Sequence, residues 1–241
     1  MSTLHGAAGF PRFGVVVAGL VLWGLAACQT SPPAAEKPPI SAPITEPGTI
    51  PAGVRELHVV PEDSLLQILV HRGGAMARLG HNHVIASHEL TGTLYVTDVA
   101  TQTRFDISFP VDDLTVDEPQ LRELAGPDFP PNVPQSARDG THVNLLSDAL
   151  LDAARYPTIR LRAIDVIEAA DGYDMGVEIS IKDQVRTVRV PVTVERSGGV
   201  MKASGEFPLK QSELGLKPYS FGMGALVVLD DMQVKFSVTA R

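Results

Sequence analysis

The chain has one cysteine among 241 residues, one tryptophan and only 5% aromatic side chains. A single thiol excludes an intrachain disulfide and a thiolate metal cluster. Few rings means few bulky plugs for a wide interior. Positive charge is also short, with 20 Lys and Arg against 28 Asp and Glu, a net charge of −8. That balance excludes a broad cationic face for nucleic acid and argues against anionic lipid headgroups as bulk electrostatic partners. No apolar run reaches the roughly 20 residues of a membrane-spanning helix. Also missing are a Gly-x-Ser-x-Gly elbow, a glycine-rich phosphate loop and a His-Glu-x-x-His pair. The paired acids Asp112-Asp113, Asp117-Glu118 and Asp230-Asp231 are adjacent in sequence, whereas glycosidase carboxylates converge across a cleft. They are expected to be solvated turn acids, and no enzymatic activity, cofactor or nucleic-acid partner is expected.

What is present begins at the amino terminus. Residues 1–13 are weakly basic, Gly14–Ala27 is an apolar run of 14 residues, and Leu25-Ala26-Ala27-Cys28 closes it. An apolar core this short has the length of a secretory signal. Leu-Ala-Ala-Cys fits a bacterial lipobox, in which Cys28 takes a diacylglycerol thioether and becomes the new amino terminus once residues 1–27 are removed. Acyl chains there pass the two-chain threshold for stable anchoring. Gln29, in place of aspartate, favours the outer membrane, so the expected location is the periplasm, lipid-anchored. Residues 28–53 carry seven prolines from Pro32 to Pro51 and are expected to form an extended tether. A single folded domain is expected over residues 54–241.

Within it, a period of two recurs. Phe105, Ile107 and Phe109 alternate with polar residues, as do Val177, Ile179 and Ile181. The same holds for Val188, Val190 and Val192, and for Val234, Phe236 and Val238. Roughly eight such strands, separated by turn signals, predict an all-β sandwich or antiparallel barrel with these twelve side chains facing inward. Gly92 and Ala240, small and on inward sets, lean toward a cavity. Spacing of Leu145, Leu146, Ala149, Leu150 and Ala153 predicts a helix over Asn144–Arg155, and a shorter one is expected near Gln120–Ala125.

His81 and His83 are two apart, with His71 and His88 near in sequence. Three readings compete. They could ligate a metal, although a zinc site needs three or four protein ligands and only two are fixed by spacing, so no metal is expected. With Arg78 they could hydrogen-bond a polar head group. Or they are packing histidines beside Gly80.

Several segments, in order, resemble the YceI family of bacterial periplasmic polyisoprenoid-binding proteins. They are Leu79-Gly80-His81-Asn82-His83-Val84, Tyr156-Pro157-Thr158-Ile159, the stretch Val177–Pro191, and Lys210-Gln211-Ser212-Glu213-Leu214-Gly215. The resemblance spans about Leu57–Ala240. It departs at Lys182-Asp183, where the family has a glycine turn, and in the proline-rich insert Glu118–Gln135. It implies a lipocalin-like, eight-stranded antiparallel barrel whose apolar cavity holds an isoprenoid or other long-chain lipid. The alternative is an envelope interaction protein with a filled barrel; the sequence also leaves room for a homodimer.

Overall fold

The computed structural model describes residues 53–241, which lie within one compact unit, Thr49–Arg241. The signal segment, Cys28 and the proline-rich tether fall outside the described residues. Twelve strands form one curled antiparallel sheet. In chain order they begin with β1 (Arg55–His58), β2 (Leu65–Gly73), β3 (His83–Ser87), β4 (Thr91–Val96), β5 (Arg104–Pro110) and β6 (Thr115–Val116). Two helices follow, α1 (Pro119–Ala125) and α2 (Gln135–Leu146). The chain then continues through β7 (Thr158–Ala169), β8 (Gly172–Ile181), β9 (Gln184–Ser197), β10 (Val200–Lys210), β11 (Ser220–Phe221) and β12 (Leu226–Ala240).

Twelve strands replace the expected eight. Two long strands are each broken into a pair, β1/β2 around the turn at Pro61–Asp63 and β3/β4 at His88–Leu90, and β6 and β11 are two-residue additions. Strand order is β1-β4-β5-β7-β8-β9-β10-β12-β2-β3-β6, with β11 against β12. The sheet curls until the chain leaving β1 meets the end of β12. His58 and Arg241 exchange backbone hydrogen bonds of 2.8 and 3.0 Å, and the Val60 N–H donates to the Thr239 carbonyl. The curl is not evenly laced. β9 pairs with β10 only where Thr193–Ser197 meets Val200–Ser204. Pro191 and Pro208, which have no N–H to give, lie in the strand stretches where that ladder is absent.

The meander over residues 158–197 has the turns expected of it. Lys182 opens the β8–β9 turn at φ 54, a left-handed conformation that normally favours glycine, and Gly198-Gly199 close the β9–β10 hairpin. The second helix is displaced. α2 occupies Gln135–Leu146, not Asn144–Arg155. Asp152 adopts φ 50, which no helix continues through, and its N–H donates to the Ser147 carbonyl at 2.7 Å. Leu151 and Ala153 are therefore buried from a tight loop. Gly92 is not a cavity residue either. Its φ is 146, and a Cβ there would lie 2.1 Å from the Asp106 carbonyl oxygen, so the residue marks a close approach of β4 to β5. Ala240 is fully buried in the main core.

Apolar residues bury on both sides of the β2–β3 pair. Ile68, Val70 and Ile85 face the inside of the curl, while Leu69, Val84 and Ala86 pack outward against Leu121 of α1 and Phe129. Two covered faces explain why His83–Ser87 is nearly continuous in apolar character. Among the described residues no helix is long and apolar enough to cross a membrane.

Candidate functional site

Inside the curl lie two adjoining cavities. The first, of about 190 Å³, is walled by β5, β7, β8, β9, β10 and β12. The second, of about 370 Å³, lies between the ends of these strands, β2, β3 and the inner side of α2. Ile68, Phe109, Ile159, Ile181, Leu214 and Met232 line both, so they form a waist between two chambers of one lumen. The inward alternation of the strands puts them there.

Of the twelve side chains expected to face inward, Phe105, Ile107, Phe109, Val177, Ile179, Ile181, Val190, Val192, Val234, Phe236 and Val238 line the first chamber. Val188 does not. It is half-buried and packs against the core from the part of β9 that β10 does not flank. The first chamber is almost wholly apolar. Its polar exceptions are Tyr173, Arg196 and Thr103, whose Oγ1 is buried without a hydrogen-bond partner.

Polar groups gather in the second chamber. Arg72, His81, His83, Thr141, Asn144 and Gln211 line it, and among the described residues no Asp or Glu lines either chamber. Arg78 is not among them; it is exposed on the turn Ala77–Leu79. The cavity guanidinium is that of Arg72. Leu66, Ile68 and Val70 set an inward period on β2 that reaches Arg72 two residues further, so the alternation contained this residue.

His83 is held from behind. Its Nδ1 lies 2.6 Å from Asp117 Oδ2, and the other Asp117 oxygen accepts from the Val84 N–H at 2.9 Å and from Arg122 Nη1 at 2.5 Å. Asp117 and Arg122 are both fully buried, which corrects the expectation of a solvated acid pair at Asp117-Glu118. Arg122 also donates to the Pro130 and Asn82 carbonyls and stands 5.8 Å from the Phe129 ring. Burial opposes ionisation of Asp117, but the His83 and Val84 hydrogen bonds and the Arg122 charge prevail and hold its pKa below the usual carboxylate range. The ionised carboxylate accepts the Nδ1 proton of His83, leaving Nε2 to the lumen. His81, 6.3 Å away between ring centroids, has its pKa lowered by burial and by the nearby charges of His83 and Arg122. Glu118, the other acid of the pair, bonds His88 at 2.8 Å. Among the described residues no group of three or more His, Cys, Asp or Glu is placed to hold a metal ion.

The structure is thus an all-β protein with a two-chambered apolar interior and one polar end. A family model described as the YceI-like domain matches residues 75–240, and the chain belongs to the YceI-like family. A search of curated proteins finds no match. Among solved structures, BcnA of Burkholderia cenocepacia is 18% identical, with a TM-score of 0.56 over 76% of this chain and 99% of that one. A Campylobacter jejuni YceI protein is 11% identical, with a TM-score of 0.40 over 62% of this chain and 81% of that one. At 18% identity the likeness to BcnA is one of fold.

Proposed function

We propose that this protein binds a long-chain amphiphilic lipid of the isoprenoid class in the lumen, without chemistry, while tethered to the bacterial envelope through an acylated Cys28. The lumen itself carries the reading. A dry cavity of about 190 Å³ left empty costs about 4–5 kcal/mol at ~24 cal/mol per Å³, a large share of a domain's stability. An apolar chain filling it offsets that cost and gains ~0.8 kcal/mol for each methylene taken from water. The second chamber, about 370 Å³, lies within the usual range of ligand pockets, ~300–1,000 Å³. Arg72, His81 and His83 place hydrogen-bonding groups at one end, where an amphiphile has its head. An interaction role with a filled barrel would need a packed interior, and two adjoining chambers weigh against it.

Thermal unfolding with added geranylgeraniol or geranylgeranyl phosphate tests the proposal. A ligand that binds only the native state raises Tm as its concentration exceeds Kd. A rise for either compound, smaller in Phe236→Asp, is the expected result; no shift with either would contradict the proposal.

A further inference from the structure

The polar end of the second chamber opens between two connections. One joins β2 to β3 and contributes Gly80 and His81 to the lining; the other runs from Gln211 to β12 and contributes Leu216 and Tyr219. They are tied by a 2.8 Å hydrogen bond from the Met76 N–H to the Ala225 carbonyl. Gly74 permits the crossing: at φ 89 it has the Ala225 oxygen where a Cβ would come within 2.6 Å.

On the outer side of this pair, large apolar side chains stand in water. Phe221 is 66% exposed, Leu79 60%, Met76 46%, and Met223 wholly so. The charge pattern there is equally particular. The stretches His71–Asn82 and Leu214–Leu229 contain no Asp or Glu, in a chain with 28 of them, but do contain Arg72, Arg78 and Lys217. The nearest acids stand at the edges of these stretches: Glu213, Asp230, which accepts from the Ser212 N–H at 2.8 Å, and Asp231, 4.0 Å from Lys210 Nζ, together with Asp128, whose carbonyl accepts from the Asn82 side chain at 2.9 Å, and Asp139 on α2. The net charge of the whole molecule therefore hides an apolar, cationic collar around one end of the lumen.

We propose that this collar docks on an anionic phospholipid surface. Apolar side chains of this kind seat at the boundary between headgroups and acyl chains, and lysine and arginine beside them meet the phosphates. The acidic remainder of the molecule is repelled by the same surface, so the two effects together orient the mouth toward the bilayer. Docked so, the second chamber faces the lipid phase, and an amphiphile passes between bilayer and lumen without crossing water. This last step rests on the reading of the lumen as a lipid site; the docking itself does not.

Site-specific fluorescence tests it. In the full chain with Cys28→Ala, Met223→Cys gives a single thiol for a polarity-sensitive fluorophore, and Asp171→Cys, on the β7–β8 turn, gives the control. Any membrane contact made by residues 1–53 is common to both. Vesicles of phosphatidylglycerol and phosphatidylcholine are expected to shift the emission at position 223 to the blue several times more than at 171. Arg78→Gln with Lys217→Gln should reduce that shift, as should vesicles of phosphatidylcholine alone. No shift at 223, or equal shifts at both positions, would overturn the proposal. So would a shift that needs no vesicles and grows with protein concentration, which would assign the collar to a second copy of the chain. Mass spectrometry of lipid carried by the same samples reports separately on the lumen: lipid without a shift refutes the collar alone, and a shift without lipid refutes the carrier alone.

Discussion

His83 Nδ1 lies 2.6 Å from an oxygen of Asp117, a residue 34 positions further along the chain. The contact joins the wall of the lumen to the segment that carries α1. Asp117 holds its side chain there at φ 57, a left-handed conformation that aspartate tolerates better than most residues, and Arg122 reaches back from α1 to share the carboxylate. One buried acid thus orients a lumen histidine and anchors a helix.

Removing that acid leaves Arg122 fully buried with no countercharge. Asp117→Ala is therefore expected to destabilise the fold by about 3–5 kcal/mol, the usual cost of orphaning one partner of a buried pair. Urea unfolding would measure it. A loss below about 1 kcal/mol, the range of exposed pairs, would contradict this assignment.

The same cluster makes stability depend on acid. The pKa of Asp117 is lower folded than unfolded, where it is about 3.9. Its contribution is thus complete above that value and is lost as pH falls through the lower folded value. Thermal melts between about pH 5 and pH 2 should show wild type losing more stability than Asp117→Asn in that window. Parallel declines would show that the carboxylate is not the sensitive group.

Charge on the lumen wall is expected to damage stability and binding together. Phe236→Asp places a carboxylate opposite Gly205 and Leu66, where no partner exists, at a cost of several kcal/mol. Lys235→Ala, on the outer face of β12, breaks only the exposed pair with Glu206 at 3.2 Å and should change stability by about 0.5 kcal/mol or less. Val190→Phe adds a ring without charge. With open space in the first chamber the fold should survive it while bound lipid falls; severe destabilisation would indicate a packed core.

Anchoring is expected to depend on one atom, the Cys28 sulfur. Cys28→Ala should remove the acyl mass from the intact protein and release it from the detergent-only outer-membrane fraction. Finding the variant still in that fraction would refute the lipoprotein reading.

Much of the lumen was legible because a strand has a period of two. Phe105-Ile107-Phe109 and Val234-Phe236-Val238 announce a covered face whatever lies opposite. Val188 falls short although Val190 and Val192, equally outside the β9–β10 ladder, line the chamber; it packs half-buried against the core instead. The spacing of Leu145, Leu146, Leu150 and Ala153 fits a helix equally well as a tight apolar loop, and the left-handed Asp152 decides for the loop. Strand number exceeded the expectation because Arg55–His58 and His83–Ser87 carry no period of two, and β6 and β11 are only two residues long. The Asp117–Arg122–His83 cluster was not legible, because its members meet only after the insert folds onto β3. Arg72 was available, two residues past Val70 on an inward face.

The central claim is that the two chambers hold lipid, and the most direct measurement is denaturing mass spectrometry of what the protein carries when purified from its own host. The account predicts a long-chain amphiphile, about one per chain, whose amount falls sharply in Phe236→Asp and Val190→Phe purified alongside. Wild-type protein that is folded, monodisperse and free of any extractable lipid, and that takes none up from added vesicles, would contradict it.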